Sequence, residues 1–151
     1  MRVIQTPDDE KILTQEPDLL ARVTREECWH LCYGAALRGV GFVTHNPPVG
    51  AVLVDRNHRF LAIGAHLEFG GPHAEVNLLS QINKRGLDQH LAGSTLYVTL
   101  EPCAHQGKTP SCAAMLSDLP LGKVEFANRD PNPNVDGKGI AILEKIGRAH
   151  V

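Results

Sequence analysis

A histidine and an acid at one helix start, and two cysteines around the next, most constrain what this chain can fold into. His73-Ala74-Glu75 opens one helical pattern after a Gly-Gly-Pro break, and Cys103 and Cys112 stand on either side of the opening of the next. One imidazole and two thiolates are thereby offered where free N–H groups and the positive end of a helix dipole favour the thiolate form. One nitrogen and two sulfurs suit a tetrahedral zinc. Three protein ligands with a fourth position left to water is the catalytic arrangement, because the metal then brings the pKa of that water down to about 7. Glu75 is surplus to the ligand set, and two residues from His73 it is placed to carry protons between water and substrate. A lone histidine is more often a surface residue and a lone cysteine an apolar filler. Here three such residues and an acid stand together, with Pro102-Cys103 closing a strand, and the zinc site is the better reading.

The rest of the chain supplies a scaffold for that meeting. Residues 1–22 are polar and without sustained period, and are expected to form a loose N-terminal extension before a domain over 23–151. Thr24 with Glu27 is a capping-box pattern, and Cys28, Leu31, Cys32, Ala35 and Ala36 follow at helical spacing. Val49–Val54 and Phe60–Gly64, joined by the turn residues Asp55–His58, predict a hairpin whose first strand is buried on both faces. Pro72 is expected in the first turn of the second helix and Gly86 at its end. Ser94–Leu100 and Lys123–Ala127 predict strands, Ser111–Leu116 a third helix, and the residues after Gly139 a short amphipathic one, with a further strand starting near Val151. Strands alternating with helices in this order predict an α/β sandwich with an antiparallel first hairpin and a largely parallel second half.

Composition narrows the function classes. At 151 residues, 42% hydrophobic and 21% charged, the chain fits one compact domain. Its formal net charge of -2 provides no general attraction to nucleic acid or an anionic membrane, so neither is expected as a partner. No apolar run approaches a membrane span, and the N-terminus lacks a secretory pattern, which predicts a cytoplasmic protein. Four cysteines at 28, 32, 103 and 112 are too unevenly placed for a disulfide framework. Cys28 and Cys32, a helical turn apart on an apolar face, read as packing, and His45, His58, His90 and His150 receive no role.

The strings NPPVGAVLV (46–54), GGPHAEV (70–76), TLEPCAHQGKTPSC (99–112) and RDPNPNVDGKG (129–139) resemble the deaminase domain of the bifunctional pyrimidine deaminase/reductases of riboflavin biosynthesis, over roughly residues 25–147. Eight residues, 104–111, separate the two cysteines, where the general zinc-deaminase signature P-C-x-x-C has two. The resemblance implies a cytidine-deaminase-like three-layer α/β/α sandwich and a hydrolytic, Zn2+-dependent release of ammonia from a diaminopyrimidinone carrying a phosphoribosylamino arm. It also implies that Asn46 faces the ring, that His66 lies beside the substrate and that Asp130 and Asn132 reach the ribose. In the long cysteine loop, His105, Lys108 and Thr109 beside helix N–H groups suit the phosphate. Each of these has a plainer reading: Asn46, Asp130 and Asn132 as turn residues, His66 as a structural histidine, Lys108 as a solvated lysine. A separate reductase, absent from this chain, and a homo-oligomer are the partners implied. The competing expectations are a deaminase of another free base, nucleoside or tRNA base, and a non-catalytic zinc module that would need a fourth protein ligand.

Overall fold

The computed structural model describes residues 16–43, 47–104, 110–130, 137–145 and 147, and the backbone of 149–150. Helix α1 (Arg25–Leu37) starts where the capping box is: Thr24 Oγ1 accepts from the Glu27 N–H at 3.1 Å and Glu27 Oε2 accepts from the Thr24 N–H at 3.3 Å. Strands β1 (Gly50–Val54) and β2 (Phe60–Ala65) form the hairpin, and every residue of both is buried. Helix α2 (Ala74–Lys84), a 3-10 turn (Asp88–His90), β3 (Thr95–Leu100), α3 (Cys112–Ser117), β4 (Lys123–Asn128), α4 (Lys138–Glu144) and the two-residue β5 (Ala149–His150) follow.

The sheet order is β2-β1-β3-β4-β5, with β1 antiparallel to both its neighbours and the β3–β4 and β4–β5 pairs parallel. Alternate side chains of β1 go to opposite faces. Val52 and Val54 join Cys28, Cys32 and Ala35 of α1, with Phe60, Ile63 and Tyr97, in one apolar cluster. Ala51 and Leu53 join Leu78 and Ile82 of α2, Ala113 and Leu116 of α3, and Ile140 and Leu143 of α4 in the other. One helix on one face and three on the other make the expected three-layer α/β/α sandwich. Continuous burial of β1 follows from its central place in that sandwich, which removes the usual alternation of polar and apolar residues.

Two expectations shift. Pro72 stands before the N-cap of α2 rather than in its first turn, because His73 keeps an extended backbone (φ −68°, ψ 164°) and acts as the N-cap. The Pro72 carbonyl is thereby left outside the helix, where it accepts from His66 Nδ1 at 2.9 Å and from Asn77 Nδ2 at 3.4 Å. His58, assigned no role from sequence, sits at the hairpin turn with a positive φ of 61°, its ring nitrogens bridging the Val23 carbonyl and the Tyr97 hydroxyl. With the Leu20 N–H to Phe60 O and Phe60 N–H to Ala21 O bonds, both 2.8 Å, it fastens residues 20–23 to β2.

Where α1 crosses the sheet, Gly50 permits the close approach: a Cβ there would lie 1.9 Å from the Cys32 carbonyl oxygen and 2.8 Å from the Ala36 nitrogen. Gly50→Ala is expected to lower stability by about 3 kcal/mol or more, since backbone on both sides must move. The measurement is thermal unfolding, in which a domain of this size should lose roughly 6–12 °C.

Candidate active site

Because β1 is antiparallel to both β2 and β3, the carboxyl ends of β2, β3 and β4 and the start of β1 share one rim of the sheet. His66 follows β2, Glu101 and Cys103 follow β3, Asp130 follows β4, and Val49 leads into β1; these residues line a cleft of about 120 Å³. The two helices that begin at this rim supply the remainder. His73 is the N-cap of α2 and Glu75 lies in its first turn, while Cys112 is the first residue of α3, whose N-cap Ser111 accepts from the Ala114 N–H at 3.1 Å.

The ligand atoms of His73, Cys103 and Cys112 lie within 4.8 Å of one another. His73 Nδ1 is 3.4 Å from Cys112 Sγ and 3.7 Å from Cys103 Sγ. A tetrahedral zinc with bonds of about 2.0–2.1 Å to nitrogen and about 2.3 Å to sulfur sets its N···S edges at roughly 3.5 Å, so the three donors are already spaced to hold that ion. Electrostatics agree with the geometry. Cys103 Sγ accepts the Cys112 N–H at 3.2 Å, and the Cys112 thiol and His73 also donate to it, which holds Cys103 down at about 4. The Cys112 thiol is pushed up, first by its hydrogen bond to the Cys103 sulfur and then by burial. The His73 imidazole is pushed up by the same Cys103 sulfur. The Cys112 thiol and the His73 imidazole, crowded around the Cys103 thiolate, hold protons that a divalent cation would displace.

Glu75 is 3% exposed, and burial pushes its carboxyl above the usual range, the direction that suits a group that must hold and release a proton. His66 is equally enclosed. A carbonyl only accepts, so the bond to Pro72 O places the proton on Nδ1 and leaves Nε2 as an acceptor, without a partner among the described residues. Its ring stands edge-on to that of His73, with centroids 5.4 Å apart. Of the residues singled out from sequence, the structure thus brings together His73, Glu75, Cys103, Cys112, His66 and Asp130. Asn46, His105, Lys108, Thr109 and Asn132 lie outside the described residues.

Cys28 and Cys32 are packing residues, fully buried, with Cys28 pushed up to about 12 by burial and Cys32 also raised by it. Two residues at the site went unnoticed in the sequence. Asn77 donates to the Ala65 carbonyl at 2.7 Å as well as to Pro72, tying the end of β2 to the turn before His73. Glu101 accepts three backbone N–H groups from residues 29 to 39 positions further along the chain. No local pattern announces either, since their partners are set by tertiary contacts.

The model of the cytidine and deoxycytidylate deaminase zinc-binding region matches residues 22–128. The chain belongs to this deaminase family. Among relatives, the chain is 45% identical over 112 residues to the riboflavin biosynthesis protein RibD of Bacillus amyloliquefaciens, covering 74% of this chain and 29% of that one. It is 41% identical over 102 residues to the diaminohydroxyphosphoribosylamino-pyrimidine deaminase of Buchnera aphidicola, covering 68% of this chain and 65% of that one. Among solved structures, the diaminohydroxyphosphoribosylaminopyrimidine deaminase/5-amino-6-(5-phosphoribosylamino)uracil reductase of Thermotoga maritima superposes with a TM-score of 0.76 at 42% identity, over 82% of this chain and 34% of that one. The chain therefore spans about a third or less of the length of the first of these relatives and of this structure. No helix among the described residues is long and apolar enough to cross a membrane.

Proposed function

We propose that this protein hydrolytically deaminates a diaminopyrimidinone carrying a phosphoribosylamino arm, a step of riboflavin biosynthesis, using zinc on His73, Cys103 and Cys112. The observation that carries the reading is a buried carboxyl, Glu75, beside three donors spaced for a metal and open to a cleft. The names of the relatives supply the substrate class.

Zinc held by these three residues would supply an acidified water at neutral pH. Glu75 takes a proton from the attacking water, whose oxygen joins the ring carbon bearing the amine. Glu75 then delivers that proton to the adjacent ring nitrogen, takes the remaining proton from the added hydroxyl as the carbon becomes a carbonyl, and passes it to the amine, which leaves as ammonia. The exchange balances: one water enters, one ammonia leaves, and Glu75 ends in its starting form. His66, through its unprotonated Nε2, accepts from a donor on the substrate, and Asp130, in the wall of the same cleft, is assigned to the ribose of the arm. His105, Lys108 and Thr109 are assigned to the phosphate, Asn46 to the ring edge and Asn132 to the ribose.

The test is incubation of zinc-loaded protein with the phosphoribosylated diaminopyrimidinone, followed by ammonia detection and mass analysis for replacement of NH by oxygen. Turnover of a free nucleoside in its place would overturn the substrate assignment. Lys108→Ala adds a differential test. A charge that contacts only the phosphate contributes nothing to a dephosphorylated analogue. Charge-assisted hydrogen bonds contribute about 1.5–3 kcal/mol, so the preference for the phosphorylated substrate in kcat/KM should shrink by about ten-fold to a hundred-fold. Equal loss on both substrates would assign Lys108 to the loop instead.

A further inference from the structure

Glu101, directly after β3, links the end of that strand through its carboxylate to a helix far along the chain. The side chain is 3% exposed. Oε2 accepts from the Asp130 N–H at 3.3 Å and from the Gly137 N–H at 3.2 Å, and Oε1 accepts from the Ile140 N–H at 3.2 Å. The Glu101 N–H in turn donates to the Asn128 carbonyl at 2.8 Å, so the residue is itself fixed to the end of β4. Helix α4 opens on Gly137, a left-handed N-cap (φ 76°) with no side chain of its own to accept the first N–H groups. The carboxylate of Glu101 takes that place from another element. Contact is close enough that a Cβ on Gly139 would lie 1.8 Å from the Pro102 carbonyl oxygen.

We propose that Glu101 is a positioning residue that holds Asp130, in the cleft wall, in register with Cys103 by clamping the end of β4 and the start of α4 on one carboxylate. This rests on the functional reading above only for the consequence in turnover; the clamp itself is a matter of hydrogen bonds. With three N–H donors on two oxygens the carboxylate has little acceptor capacity left for a substrate, so its action is through the backbone it holds. Glu101 lines the same cleft as Glu75 and His66. Loosening the clamp displaces the wall that meets the substrate while leaving the metal donors and the proton carrier in place. Substrate affinity should suffer before the chemical step does.

Glu101→Gln keeps the shape and removes the charge and one acceptor, leaving its amide N–H2 to face at least one backbone donor. The expected result is unchanged zinc content, amide hydrogen exchange at Asp130, Gly137 and Ile140 faster by about tenfold or more with exchange at Leu53 and Val98 of the sheet unchanged, and a KM raised about tenfold with kcat within about threefold. Unchanged exchange at the three amides overturns the clamp. Faster exchange with kcat reduced and KM unchanged overturns the role in substrate positioning. Glu101→Asp, which keeps the charge but shortens the reach, carries the same comparison if the glutamine variant does not fold. Should the wild-type protein fail to turn over the phosphoribosylated substrate, the functional reading falls, and the exchange measurement still decides the clamp.

Discussion

Glu75→Gln is expected to retain fold and zinc and to lose about 10³-fold or more in kcat. The amide matches the carboxyl in shape and cannot accept a proton from water. One general acid–base group contributes typically ~10²–10⁴-fold, and Glu75 is assigned several successive transfers, which puts the loss at the upper end. His73, Cys103 and Cys112 supply the metal donors without it, so metal content should not change. The informative pairing is zinc per chain against single-turnover rate. Activity within a few-fold of wild type would show that another group moves the proton, whereas loss of zinc would show that Glu75 belongs to the ligand set.

Cys103→Ala should abolish both metal and activity. It removes one of three donors and the sulfur that accepts the Cys112 N–H, leaving an imidazole and one thiol that cannot hold a tetrahedral ion by themselves. Wild-type protein is expected to carry about one zinc per chain, and the variant less than about a tenth of that after dialysis. Unfolding temperatures provide a second readout, because an ion bound only to the folded state stabilises it by mass action. A chelator should lower the unfolding temperature of the wild type and leave that of the variant where it is. An unchanged zinc content in the variant would move the metal elsewhere.

Much of this was legible in the sequence because the signals are local. The capping box at Thr24, the apolar run Val49–Val54 and the Gly86 stop each depend on a few neighbouring residues, and each falls where expected. The candidate metal donors were legible for a different reason: an imidazole and a thiol at two helix starts, with a second thiol just past a strand end, are a chemical coincidence that packing does not require. Glu101, Asn77 and His58 were not legible. Their partners are backbone groups or a hydroxyl brought up by the fold, and in a sequence they look like an acid, an amide and a histidine at element ends. The placement of Pro72 was missed by one step because His73, a metal donor, takes the cap position that a serine or aspartate ordinarily fills.

The sheet has two rims, and only one of them carries the chemistry. The turn at Arg56 and Asn57 and the exposed residues Asn83–Gly86 lie at the other, separated from the cleft by the length of the strands. Insertions, fused segments or new surfaces can be accommodated there without displacing a ligand or a proton carrier. The rim with the cleft is tied to the donors and the buried acid that meet there, whereas loops at the opposite rim can change in length or charge without reaching them.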